Sequence, residues 1–129
     1  VTRPPPAPVR KRNHTTARVA GKTAERVLVA WAQSNGAPHA ERRVAGSRRD
    51  RGDVAGTPGL VIECKSPGAG SPITLAAWLD ETMAERDNDN ADIGLLVIKR
   101  YQRGSPGHWY WVTDGDTMAR LLRAAGWWK

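Results

Sequence analysis

The chain has no phenylalanine, one cysteine, three scattered histidines and few acidic residues in its first 51 positions. Each shortage excludes something. A lone cysteine cannot form an internal disulfide or a Cys-based zinc site, so a reducing, cytoplasmic setting is the expectation. His14, His39 and His108 have no metal-ligand spacing and are read as non-catalytic. No apolar stretch approaches the roughly 18 residues of a spanning helix, so no membrane partner is expected. The first residues, Val1-Thr2-Arg3-Pro4-Pro5-Pro6, include neither an initiator Met nor an apolar h-region, and do not read as a secretory signal.

What is present is basic charge, unevenly placed. The 129 residues carry a net charge of +7. Residues 1–51 hold twelve Lys/Arg against three Asp/Glu, and residues 52–129 hold eight against ten. A basic region beside a mildly acidic remainder suits a polyanion whose phosphates must be neutralised, although basic tails also simply solubilise. Residues 1–14 are Pro-rich and then basic, and bury too little apolar surface to offset the entropy of ordering. A disordered tail over 1–14 and a single domain over 15–129 are therefore expected.

Local signals set out eight elements. Thr15 or Thr16 could cap a helix reaching about Ser34, with an apolar stripe of Ala20, Ala24, Val27, Leu28 and Trp31. Ala40–Ala45 is a weak strand. Arg51–Ala55 and Leu60–Lys65 are better ones, and the Gly56-Thr57-Pro58-Gly59 linker predicts a hairpin. A helix follows over Ile73–Asp87, with Ser71 as cap and Ile73, Ala76, Ala77, Leu79 or Asp80, Met83 and Ala84 as a modest stripe. Strands over Asp92–Lys99 and His108–Thr113 precede a last helix, capped by Asp114 and stopped by Gly126. The order α-β-β-β-α-β-β-α predicts an α/β fold with a central mixed sheet flanked by helices.

Chemistry concentrates on one strand. In Leu60-Val61-Ile62-Glu63-Cys64-Lys65, alternation puts Val61, Glu63 and Lys65 on one face. Charges on a buried strand cost several kcal/mol, on the usual order of magnitude, unless paired or bound to metal. A surface ion pair on an edge strand is the plainer reading, but the apolar run before Glu63 favours burial. If Gly56 pairs with Leu60, Asp53 lies opposite Glu63; other registers move it to a diagonal or to the far face. Two carboxylates beside a lysine suit Mg²⁺, with Mn²⁺ able to substitute, and phosphodiester hydrolysis. The backbone carbonyl of Cys64 could add an oxygen ligand, and Lys65 could orient the attacking water and stabilise transition-state charge. The Cys64 thiol itself reads as a small buried hydrophobe.

Asp53, nine intervening residues and Glu63-Cys64-Lys65, following a helix that bears Glu25, resemble the PD-(D/E)xK nuclease superfamily. The small size, Gly52-Asp53 and Val61-Ile62-Glu63-Cys64-Lys65 most resemble its Holliday-junction resolvase branch, including small phage-encoded members. The resemblance covers roughly residues 16–100. It implies a restriction-endonuclease-like αβββαβ core, Asp53 and Glu63 as metal ligands, Lys65 as the catalytic lysine and Glu25 as a helix carboxylate completing the metal site. On the helical wheel, however, Glu25 lies off the apolar stripe, beside Arg18, Lys22 and Val29, where a surface glutamate is as natural. Gly52 stands where the family name has proline.

For nucleic acid, Arg48, Arg49 and Arg51 sit where a backbone would pass, and Arg10, Lys11 and Arg12 could reach a second arm. Lys99 and Arg100, at a strand end, could hold a flanking phosphate or simply face solvent. Trp31 and Trp78 read as core. Trp109, Trp111, Trp127 and Trp128 could stack on bases or line a homodimer interface. The expectation is a Mg²⁺-dependent, structure-selective endonuclease acting on branched DNA as a homodimer, because a four-way junction is two-fold symmetric. A monomeric nuclease for flap, mismatched, fork or single-stranded DNA is the alternative, and a catalytically silent DNA-binding module is a third.

Overall fold

A computed structural model of the chain describes residues 14–43 and 51–129. The expected tail therefore lies, up to Asn13, outside the described residues, as do Arg10, Lys11, Arg12, Arg48 and Arg49. Along the chain come α1 (His14–Ser34), β1 (Glu41–Arg42), β2 (Val54–Ala55), β3 (Leu60–Lys65), α2 (Leu75–Asn88), β4 (Ile93–Ile98), a 3₁₀ turn (Pro106–His108), β5 (Tyr110–Val112) and α3 (Gly115–Ala124). This is a mixed α/β fold with the expected element order.

The central sheet has the order β3-β4-β5, with β3 and β4 parallel across the α2 connection and β5 antiparallel to β4. Leu95-Leu96-Val97-Ile98 fills the middle strand because it is covered on both faces, where an alternating strand would bury polar groups. On one face Ile62, Cys64, Val97 and Trp109 pack with Ala24, Leu28, Val29 and Ala32 of α1. On the other face lies α2, which packs on β3 and β4.

Three corrections follow from long-range packing. First, β2 does not pair with β3 as a hairpin ladder; it pairs antiparallel with β1, Arg42 opposite Val54. A tight turn still links β2 to β3. Leu60 N–H donates to Thr57 C=O at 3.0 Å around Pro58 and Gly59, and Gly59 has a φ of +78°. Second, α1 begins at His14, which puts Thr15 and Thr16 inside its first turn rather than capping it. Its buried face is also rotated: Val27 is 37% exposed, whereas Val29 and Ala32 are buried. Third, α2 starts at Leu75 rather than near Ile73. Ser71 does not cap it but donates its N–H to Gly68 in a turn of its own, and the cap position is Thr74.

The aromatic residues are also redistributed. Trp109 is buried, its Nε1 donating to the Arg103 carbonyl at 2.7 Å. Trp111 donates to Pro106 C=O and packs against Trp31 with ring centroids 5.3 Å apart. These two indoles brace the domain, Trp109 from within the core and Trp111 half-buried at its edge. Trp78 is only half-buried, set over Lys65 rather than in the core. Asp114 caps α3 as expected, its side chain accepting from Thr117 N–H at 2.8 Å, and the helix ends before Gly126.

Gly52 shows why this chain has no proline before Asp53. Its φ is +85°, closed to proline, whose ring holds φ near −65°. A Cβ there would lie 2.9 Å from Val61 Cγ1 and 3.0 Å from the Ile62 carbonyl oxygen. Gly52→Ala is expected to cost about 1–3 kcal/mol, from the strained φ and the close approach together. Denaturant titration checks this; an unchanged midpoint would contradict the packing described.

Candidate active site

Asp53 is held from three sides. Its N–H donates to the Ile62 carbonyl at 2.9 Å, its own carbonyl accepts from Arg43 N–H at 2.9 Å, and its Oδ2 accepts from Cys64 N–H at 2.8 Å. The last bond has a topological cause. Because β2 pairs with β1, the outer edge of β3 has no full strand partner among the described residues, and the Asp53 carboxylate satisfies a strand N–H there. The Arg43 side chain bonds the carbonyls of Gly52 and Arg51, fixing the segment that leads into Asp53. Sequence reading gave Arg43 no part; its role depends on the β1–β2 pairing.

Alternation along β3 sorts the remaining groups. Lys65 C=O accepts from Lys99 N–H, and so faces β4. Cys64, one residue earlier, turns its N–H and C=O to the opposite edge, where Asp53 lies. Glu63 is 6% exposed, with an oxygen 3.7 Å from Lys65 Nζ. Asp53 and Glu63 are close enough to share a proton, which puts two carboxylates, a backbone carbonyl and a lysine around one strand end.

Two residues of α2, absent from the sequence reading, complete this surface. Glu81 and Glu85 are one turn apart, and each brings a carboxylate oxygen within 4.8 Å of the others and of Glu63. Glu81 bonds Lys65 Nζ at 3.2 Å, and the Trp78 ring lies 5.9 Å from the same ammonium. Glu85 is 5% exposed, and its Oε2 has no hydrogen-bond partner among the described residues. The i, i+4 pair Glu81–Glu85 was the available signal.

Glu25 faces inward because of the rotated α1 face, one turn before Val29. Its charge reaches Asp53 and Cys64, but its carboxylate pairs with Arg42 at 3.0 Å. Arg51 points to Asp89 at 3.7 Å. Lys99 and Arg100 follow the end of β4, and Arg100 packs over the Tyr110 ring at 5.1 Å.

The electrostatics are those of crowded like charges. Burial, then the neighbouring Glu63, push the Asp53 carboxyl up to about 7. Burial, then the contact with Glu85, push Glu63 up to about 8. Burial also raises Glu85 and Glu25. For Lys65, burial alone would lower the pKa, but Glu63 and Glu81 outweigh it and hold the ammonium above its ordinary value. Cys64 is pushed up to about 12, first by burial and then by the surrounding carboxylates, so it is no nucleophile. Apolar side chains at 63 and 85 would avoid a desolvation penalty of several kcal/mol, on the usual order of magnitude. Buried carboxylates with titrations raised this far, gathered in one cluster, make this the candidate site of the fold.

A divalent cation fits this donor set: it would replace the shared proton and relieve the repulsion. The pH dependence has a definite sign. Without a cation, the raised pKa values mean the fold keeps protons that the unfolded chain releases above about pH 4. That stabilisation is complete below the unfolded pKa values and is lost as pH rises through about 7 and then about 8. Between pH 5.5 and 8.5, wild type is therefore expected to lose roughly 3–6 °C more in Tm than Asp53→Asn, about 1 kcal/mol in a domain of this size. Mg²⁺ at pH 8.5 should restore wild type but not the variant. Parallel pH profiles in calorimetry would contradict the assigned coupling.

No protein-family model, curated protein or solved structure matches this chain in comparison.

Proposed function

We propose that this chain is a Mg²⁺-dependent, structure-selective DNA endonuclease, with four-way junctions as its favoured substrate. The convergence of the Asp53 and Glu63 carboxylates beside Lys65, at the edge of β3 away from β4, carries the reading. The basic charge of the chain and the order α1-β1-β2-β3-α2-β4, consistent with a restriction-endonuclease-like core, add to it.

Asp53 and Glu63, with the Cys64 carbonyl, would hold the cation. Glu25 would join only by exchanging its bond to Arg42. When bound, the cation supplies a more acidic water and draws charge from the scissile phosphate. Lys65, protonated throughout the neutral range, donates to a phosphoryl oxygen and stabilises the charge that grows there as water attacks phosphorus and the bond to the leaving oxygen breaks. Glu81 holds the ammonium in place from the α2 side.

A panel of end-labelled four-way junction, flap, mismatched, single-stranded and plain duplex DNA, incubated with Mg²⁺ or EDTA, tests this reading. Paired, Mg²⁺-dependent incisions in the junction by a protein of dimeric solution mass are expected. Preference for another branched or single-stranded substrate by a monomer would overturn the junction assignment. Binding with no cleavage would overturn the enzyme and leave a DNA-binding module.

A further inference from the structure

We infer that the cleft beyond the C-terminal ends of β3 and β4 binds an unpaired nucleotide of the DNA, its phosphate on Lys99 and Arg100 and its base against Tyr101 and Tyr110. This rests on the metal-nuclease reading above, and not on its four-way junction, whose arms are paired; it deepens that reading by naming an unpaired base, at a flap, a tail or an opened branch point, as the part of the substrate gripped beside the reacting phosphate.

The cleft encloses about 380 Å³, within the roughly 300–1,000 Å³ of ligand sites. One wall is the turn Pro67–Ser71, whose two glycines leave backbone rather than bulky side chains at the surface. The other wall carries Lys99, Arg100, Tyr101 and Tyr110, and among the described residues no carboxylate lines the space. Lys65 thus separates two regions of opposite sign: glutamates of α2 on one side, cations and phenols on the other.

Register fixes how far apart they are. Lys65 pairs with Ile98, and Ile98 with Tyr110, so the three side chains share one face in a row across the sheet. Two strand spacings put Tyr110 roughly 10 Å from Lys65. At about 3.4 Å of rise per nucleotide along a duplex strand, and more where stacking is lost, that is within about three nucleotides of the lysine.

The tyrosines are costly to leave as they are. Tyr101 is 71% exposed and Tyr110 50% exposed, although aromatic rings are the largest apolar groups the chain has to bury. A turn closed by Arg103 N–H on Arg100 C=O, with Gln102 at a φ of +59°, holds Tyr101 out from the body. Arg100 is oriented by the Tyr110 ring and by a 3.2 Å bond to the His108 carbonyl, which uses one of its five donors. Among the described residues, neither Lys99 nor Arg100 has a carboxylate within ion-pair distance. Cations without counter-charges beside exposed rings match a phosphate with an unstacked base attached. A fully paired duplex hides its base faces and could use only the cations.

Binding in EDTA, where no cleavage can occur, tests this by fluorescence anisotropy on a duplex with a short single-stranded tail at either end, against the same duplex blunt-ended. Tyr101→Ala should weaken the tailed substrate roughly 5- to 150-fold, the loss expected for one stacked base, and change blunt-duplex affinity by less than about twofold. Tyr101→Phe should bind as wild type does. Photocrosslinking from 5-iododeoxyuridine in the tail should mark the peptides bearing Tyr101 or Tyr110. Unchanged tailed binding by Tyr101→Ala, or equal losses on tailed and blunt duplex, would overturn the inference. Mg²⁺-dependent cleavage, scored separately, stands or falls on Asp53, Glu63 and Lys65.

Discussion

Glu63→Gln is expected to lower Mg²⁺-dependent cleavage by at least roughly 10³-fold while leaving DNA binding within about twofold of wild type. The substitution is isosteric and removes one ionisable carboxyl from the most crowded point of the site, where Glu63 interacts with both Asp53 and Glu85. A neutral amide oxygen holds a hard divalent cation more weakly than the carboxylate it replaces, and losing the cation forfeits several kcal/mol of transition-state stabilisation, tenfold for each 1.4 kcal/mol. Metal-free stability moves the other way: above about pH 7 the variant should melt higher than wild type, because the repulsion between buried carboxylates is gone. Opposite signs for activity and stability separate a ligand from a packing residue. A variant that lost both would have been merely structural. Single-turnover cleavage and calorimetry on the same preparations measure the two effects.

Lys65→Met carries the second largest effect. Removing one donor from a transition-state oxyanion costs about 10²–10³ in rate in well-studied hydrolytic sites, and in the proposed function that part falls to the Lys65 ammonium, which is paired with Glu63 at 3.7 Å and Glu81 at 3.2 Å. Cation affinity should be unchanged or tighter, because a positive charge beside the carboxylates has been deleted. Rate at saturating Mg²⁺ against apparent Mg²⁺ affinity distinguishes the two effects. A variant that regained full rate at high Mg²⁺ would show that Lys65 only shapes the metal site. Because Lys65 titrates above its ordinary range, the wild-type rate profile through pH 6–8 should follow the carboxylates and rise with pH.

How much of this was legible depends on the range of the physics involved. β3 was readable to the residue, because period-two alternation and a Pro-Gly turn are local signals, and Glu63 with Lys65 on one face followed at once. The partner of β2 was not readable. Nothing within residues 51–65 shows that Glu41–Arg42 competes for Val54–Ala55, so the hairpin ladder was the natural but incorrect inference. Asp53 reaches β3 by another route, through one backbone bond and a carboxylate on the Cys64 N–H.

The inward face of α2 was hidden for a related reason. Hydrophobic periodicity finds a helix face by its apolarity, and this one turns Thr82 and Glu85 to the sheet while Ala76 and Ala77 stay exposed and Ile73 falls outside the helix. Local pattern fails where a polar site replaces core, and such a failure is itself informative. The helical wheel left Glu25 between a metal-facing and a surface position: burial of Val29 and Ala32, with Val27 exposed, turns it inward, where its charge reaches Asp53.

The central claim is that Asp53 and Glu63 hold the cation that cleavage requires. Single-turnover cleavage of a labelled four-way junction, in EDTA and then across a Mg²⁺ titration, with wild type and Glu63→Gln side by side, tests it most directly. Cleavage by wild type that appears only with Mg²⁺, and stays at least roughly 10³-fold lower in the variant at every concentration, is the predicted result. Equal cleavage by both proteins, or wild-type cleavage that persists in EDTA, would contradict it.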